Sequence, residues 1–172
     1  MDKQGVYGLL ESEGIPFEAT EHVAVWNMED LARVDLPYPG RDAKNLFVRD
    51  DKKRAYYLIT VMGSKRVDLK EFRNAHGTRA LSFASDADLE SILGLFPGAV
   101  TPFGLLNDSE HRVELFVDSE LLEGPGIVGV HPNDNTATVW LRTEDLVRLL
   151  ESRGTKVSVV MLRCHRSRLP TG

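Results

Sequence analysis

Three short segments carry side chains and backbone that can do chemistry. Lys44-Asn45-Leu46-Phe47 sets a cation and an amide directly before an apolar run. A lysine there offers a long, mobile charge for a phosphate or ribose oxygen, and an asparagine offers both a donor and an acceptor. The second segment is Gly98-Ala99-Val100-Thr101-Pro102, followed by Phe103-Gly104-Leu105-Leu106-Asn107-Asp108. Glycine permits unusual φ and proline fixes the exit, so such a loop can bring bare N–H groups against a carbonyl or oxyanion without a metal. The third is His131-Pro132-Asn133-Asp134-Asn135-Thr136-Ala137-Thr138, whose histidine, stiffened by Pro132, can exchange a proton near neutral pH. Together they fit a site that holds a small polar ester. Taken singly, each has a plain alternative: a surface lysine, a tight turn, and a histidine capping a strand end.

The elements that must position these segments follow from periodicity. Val6, Leu9 and Leu10 form a helical stripe ended by Gly14, and Ile15 to Phe17 begins an extended segment. Asn27 with Asp30 opens a second helix through Ala32 as a capping box. Residues 45–49 and 54–62 read as strands of a hairpin joined by the polar turn 50–53. Asp68 with Glu71 starts a helix closing at Gly77, and Ser85 with Asp88 starts another closing at Gly94. After Gly98 the pattern turns to strands at 113–117, 127–130 and 137–141, expected to form the core sheet. Thr143 is expected to cap a last helix carrying Leu146, Leu149 and Leu150, before the strand 157–162. Helices interspersed with hairpin-like strands predict an α/β fold: a single compact domain with a mixed central β-sheet covered by helices.

At 172 residues, 42% hydrophobic and 27% charged, the chain fits one domain with a real core. No run approaches the roughly 20 apolar residues of a membrane span, and Met1 to Gly8 lacks the pattern of a signal peptide, so a cytoplasmic location is expected. The single cysteine, Cys164, excludes an internal disulfide and a thiolate-built structural metal site, and reads as a bystander in a polar tail.

The net charge of −5 argues against general nucleic-acid binding. Residues 41–79 nevertheless carry eleven Lys and Arg against five Asp and Glu, a local +6 that leaves −11 elsewhere. A basic segment on an acidic body suits one oriented contact with a phosphate backbone, and equally suits a solvated hairpin with a charged helix face.

The three segments, with Arg79-Ala80-Leu81-Ser82-Phe83-Ala84-Ser85 in support, resemble in order and register the signature segments of the freestanding alanyl-tRNA(Pro) deacylases of the YbaK-like superfamily. The likeness runs from about Gly5 to Val160. It implies an editing domain over residues 1–162, followed by a basic tail at 163–172. It implies hydrolysis of alanine from the acceptor end of mischarged tRNA(Pro), with no cofactor, no metal and no protein nucleophile. No Ser-His-Asp or Cys-His arrangement is evident in the sequence, which fits. The resemblance makes Lys44, Asn45 and His131 the catalytic residues and Gly98, Ala99, Val100, Thr101 and Pro102 the substrate pocket, with a substrate ribose hydroxyl helping to position the water. Many relatives have serine where this chain has Ala99, which removes a hydroxyl contact but not a backbone role. The expected partner is tRNA(Pro) carrying alanine, touched through Lys44 and part of Arg41, Lys52, Lys53, Arg54, Lys65 and Arg66. Prolyl-tRNA synthetase is a further partner left open, and no membrane is expected. The alternatives are a non-catalytic relative that binds an aminoacyl ligand or tRNA for regulation, and a deacylase of other specificity such as Cys-tRNA(Pro).

Overall fold

Alternating strand patterns and capped helices resolve into two sheets in the computed structural model, which describes residues 1–162. The proposed tail and Cys164 lie outside the described residues. Among the described residues there are eight strands: β1 (Phe17–Glu21), β2 (Ala43–Asp50), β3 (Tyr56–Met62), β4 (Leu81–Phe83), β5 (Val113–Asp118), β6 (Ile127–Val130), β7 (Ala137–Arg142) and β8 (Val157–Val160). The larger sheet is mixed, in the order β4-β2-β3-β5-β8, with β2 antiparallel to β3 and β4, and β5 parallel to β3 and β8. The smaller is antiparallel, in the order β1-β7-β6. The mixed sheet was expected. The division of the later strands was not: β5 joins the larger sheet, whereas β6 and β7 pair with β1 from the N-terminal end. Period-2 alternation fixes which residues are buried but not which strand they pair with.

The pleat assigns each sheet face its partner. Phe47, Leu58, Leu115 and Val117 point to a core shared with Val128, Val130, Val139 and Leu141 of the smaller sheet. Val6 and Leu10 of α1 (Lys3–Ser12) and Leu146, Leu149 and Leu150 of α5 (Thr143–Ser152) complete it. On the opposite face Val48, Ile59, Val61 and Phe116 pack under Phe72 of α3 (Leu69–His76). Phe72 and Phe116 meet edge to face at 4.9 Å, a favoured aromatic geometry.

Local capping agrees with the sequence at most helix ends. Asn27 accepts from the N–H of Asp30 to start the short α2 (Met28–Leu31), and Asp68 accepts from Lys70 and Glu71. Ser85 and Asp88 form a reciprocal capping box at α4 (Asp86–Asp88), which runs on as a wider turn over Leu89–Leu93 and ends at Gly94 with φ 64°. Thr143 differs from expectation. It is the first residue inside α5, and its hydroxyl donates to the Leu121 carbonyl at 2.7 Å, so it ties the helix to a neighbouring turn instead of capping it.

One narrow connection joins the two sheets. Asp42 bridges to Gly129 in parallel fashion, and the Gly129 N–H donates to the Arg41 carbonyl at 2.9 Å. A Cβ at Gly129 would lie 2.4 Å from Trp140 Cζ3, so only glycine leaves room for the Trp140 ring packed across it from β7. The candidate site opens beside this bridge.

Candidate functional site

A cavity of about 300 Å³ lies where the start of β2 meets the end of β6 and the start of β7. It brings together Lys44, Asn45, Gly98, Val100 and His131 from three segments separated in sequence. Ala99, Thr101 and Pro102 are buried behind it. Gly98 and Val100 face the cavity, and Thr101, whose backbone is extended with φ −156° and ψ 150°, leads into the helical turn that starts at Pro102.

Lys44 and Asn45 are neighbours whose side chains leave the strand on opposite sides. Asn45 stands opposite Thr60 and Lys44 opposite Val61, which belongs to the α3-side core. The Thr60 hydroxyl donates to Asn45 Oδ1 at 2.7 Å, so the Asn45 NH₂ is the group left for a ligand. The Lys44 ammonium donates to the Lys65 carbonyl, while Lys44 still forms part of the cavity wall. Lys65 is itself buried, with its ammonium 2.7 Å from both Asp118 and Glu120. Burial works against that charge, but the two carboxylates outweigh it and hold the Lys65 pKa above its usual range.

His131 follows β6, and its Nδ1–H donates to the Ala137 carbonyl on β7 at 2.8 Å. That bond fixes the tautomer and leaves Nε2 as an acceptor. Burial, with the nearby His22 adding to it, lowers the His131 pKa against the opposing pull of the Ala137 bond, so the ring is neutral at pH 7. The Thr101 hydroxyl donates to the His131 carbonyl at 2.5 Å, which couples the Gly98–Pro102 loop to the same strand end.

Four lining or flanking residues, His22, Trp26, Asn27 and Thr138, are not among the site residues named from the sequence. Thr138 lines the cavity, and its hydroxyl donates to Nε2 of His22 at 2.9 Å, while His22 Nδ1–H donates to the Val23 carbonyl at 2.8 Å. The His22 ring stands 6.2 Å from that of His131. Only the pairing of β1 with β7 brings His22 to Thr138, and that pairing leaves no local signal. Trp26 and Asn27 line the opening from the start of α2. A Trp preceding an Asn cap is visible in the sequence as a bulky residue in a loop.

Two expected phosphate contacts are used inside the protein. The Arg41 guanidinium donates to the carbonyls of Ile127, Leu121 and Glu123 at 2.9, 2.9 and 3.2 Å, where its planar fork ties the start of β6 to the turn before it. Lys65 is held by its carboxylates. Lys52, Lys53 and Arg54 are exposed but lie at the far end of the β2–β3 hairpin, about 20 Å from Asn45 at roughly 3.3 Å per strand residue. Among the described residues, no cluster of three or more His, Cys, Asp or Glu could hold a metal ion. None of the described helices is long and apolar enough to cross a membrane.

An amide and an imidazole, each fixed by its own hydrogen bond, thus face one small cavity. Residues 22–149 match the family model of the aminoacyl-tRNA editing domain, and the chain belongs to that family. It is 39% identical over 160 residues to the prolyl-tRNA editing protein ProX of Acetoanaerobium sticklandii, covering 93% of this chain and 97% of the relative. It is 25% identical over 150 residues to the multifunctional Ser/Thr-tRNA deacylase ProXp-y of Escherichia coli, covering 86% and 87%. A solved structure described as a candidate trans-editing enzyme for prolyl tRNA synthetase shares the fold, with a TM-score of 0.70 and 22% identity over 94% of this chain and 96% of that one.

Proposed function

We propose that this chain deacylates tRNA(Pro) mischarged with alanine. Water adds to the ester carbonyl, the acyl C–O bond breaks, and alanine and the free ribose hydroxyl of the tRNA leave. The observation that carries this reading is the polarity of the cavity: the Asn45 NH₂ supplies donors for the carbonyl oxygen, and neutral His131 Nε2 supplies an acceptor for the ammonium of the amino acid or for the water. Lys44 adds positive charge to the wall nearest the nucleotide. The likeness to a prolyl-tRNA editing protein over nearly the whole chain supports tRNA(Pro) as the carrier. Its place of work on this reading is the cytoplasm, beside translation.

Alanine is the amino acid that best fits a second sieve. A pocket built for proline rejects a smaller side chain by only about 1–3 kcal/mol, so an enzyme that admits alanine and excludes the proline ring adds selectivity. The cavity volume sits at the low end of ligand pockets, about 300–1,000 Å³. The likeness to a Ser/Thr-tRNA deacylase favours one second reading, a pocket for other small side chains. The test presents alanyl-, prolyl-, cysteinyl-, seryl- and threonyl-tRNA at equal concentration and compares initial rates. Fast loss of alanine from tRNA(Pro), with prolyl-tRNA(Pro) spared, is expected; preferential loss of another amino acid moves the assignment, and no hydrolysis of any makes the chain a binding relative.

A further inference from the structure

The hydrolytic reading leaves one feature at the cavity mouth without a task. Trp26 lines the cavity yet is 60% exposed, and its ring meets that of Phe96, 40% exposed, edge on at 6.1 Å. Val23, 80% exposed, is close by in sequence. The other tryptophan, Trp140, is 2% exposed, so the chain has a core for such a ring and does not use it for Trp26. A large aromatic side chain left open beside a polar cavity is the kind of exposure that marks a contact surface.

The ring is also braced. The Trp26 N–H donates to Asp30 Oδ2 at 3.1 Å, which fixes its backbone at the head of α2. Gly98 approaches so closely that a Cβ there would lie 2.7 Å from Trp26 Cε3, and its φ of 93° also favours glycine. The indole thus rests on the loop that lines the cavity, with Phe96 at its edge and the remainder open to solvent.

We propose that Trp26, edged by Phe96, is the stacking platform for a nucleobase, the terminal adenine of the tRNA acceptor end. This rests on the function proposed above. An aminoacyl ester seated in the cavity has its ribose at the mouth, and the attached base must lie against whatever borders that mouth. Stacking on an aromatic face suits a base that every tRNA shares, because it reads a π-surface and not a hydrogen-bond pattern. Selectivity then comes from the cavity and acceptor stem, and grip comes from the rim.

The experiment uses the full chain, Trp26→Ala and Trp26→Phe, with deacylation kinetics and tryptophan emission. Trp26→Ala is expected to raise KM about ten- to hundred-fold, the loss typical for one stacked base, with kcat changed less than about threefold and Trp26→Phe restoring most of the affinity. The emission probes are uncharged acceptor-stem minihelices ending either in the normal CCA or in CC with an abasic terminal ribose. Trp26→Phe, which keeps Trp140, is the blank. Quenching by the adenine-ended probe and not by the abasic one supports the platform. Equal quenching, no quenching by either, or an unchanged KM in Trp26→Ala overturns it, the last leaving the aromatic pair to a protein partner. If Trp26→Ala alters the circular dichroism, the wild-type quenching and the Trp26→Phe kinetics decide. Absence of hydrolysis by the wild-type chain would count against the proposed function, while the quenching comparison still decides the platform.

Discussion

The wall and the rim of the cavity are built on different principles. On the sheet wall, Asn45 and Thr138 sit in strands and His131 just past the end of one, and each spends a polar atom on a named partner: Thr60, His22 and Ala137. Those bonds decide which atom is left over for a ligand. The rim is the segment that leads into the four-residue α2, where Trp26 leaves aromatic surface exposed. Met28 and Leu31 of α2 line both this cavity and a second one of about 440 Å³. A wall fixed by hydrogen bonds suits orientation of reacting atoms, whereas a rim of apolar area suits affinity. Substitutions in the wall should therefore change turnover, and substitutions in the rim should change KM.

The sharpest test of the wall's rigidity lies in the buried charges behind it. Asp118 is 1% exposed at its side chain and faces the Lys65 ammonium at 2.7 Å, whereas Glu120, the second partner, is 43% exposed. Asp118→Asn should cost about 3–5 kcal/mol in denaturant unfolding, since it breaks a buried pair. Glu120→Gln should cost at most about 1 kcal/mol. Because the Lys65 carbonyl receives the Lys44 ammonium, Asp118→Asn should also lower kcat at temperatures where the protein remains folded. Equal costs for the two variants would show that burial does not separate them.

Next comes His131. His131→Ala should lower kcat about 100-fold or more with little change in KM, as expected for a group that handles a proton or orients water. Its pKa is lowered by burial, so the acid limb of the kcat/KM profile should lie below the ordinary histidine value of about 6.5. The stability sign follows. The folded state binds the proton less well than the unfolded one, so the His131 contribution is complete above about pH 6.5 and is lost as pH falls through the lowered folded-state pKa. An acid limb above 6.5 would contradict the neutral ring. On the rim, Gly98→Ala forces both the 93° φ and a 2.7 Å approach to Trp26, and should raise KM about tenfold while sparing kcat.

How much of this was legible depended on whether a feature is local. The caps at Asn27, Asp68 and Ser85 are contacts within four residues, and each was readable from side-chain types. Lys44, Asn45, Gly98, Val100 and His131 were found through motif resemblance and do share one cavity. The sequence could not show that Lys44 and Asn45 leave β2 on opposite faces relative to the two cores, because which face meets the second sheet depends on tertiary packing. His22 escaped notice because its partner, Thr138, stands 116 residues away across a sheet whose pairing has no local code. Arg41 and Lys65 were misjudged for the same reason: a cation's type reveals its charge, not the carbonyls or carboxylates that the fold brings to it.

That misjudgement reshapes the smallest expected effect, the response to salt. If the seven cations named from the sequence shared about three phosphate contacts, the log–log slope would be roughly −2 at about −0.7 per single-stranded contact. With Arg41 and Lys65 committed internally and the cluster at 52–54 about 20 Å from the cavity, two exposed cations adjoin residues tied to its wall: Arg66 follows Lys65, whose carbonyl holds Lys44, and Arg33 follows the cavity-lining Leu31 of α2 by two residues. Arg33 lies 3.9 Å from Glu29, with both side chains largely exposed, so that pair is weak enough to exchange for a phosphate. Two contacts give a slope of roughly −1.4 for log(kcat/KM) against log[salt]. Arg66→Gln and Arg33→Gln should each flatten it by about 0.7, whereas replacing Lys52 and Lys53 with Gln should leave it unchanged. A slope that responds to the hairpin cations and ignores Arg33 and Arg66 would place the tRNA along the far end of the larger sheet, and would separate the phosphate path from the rim that meets the terminal nucleotide.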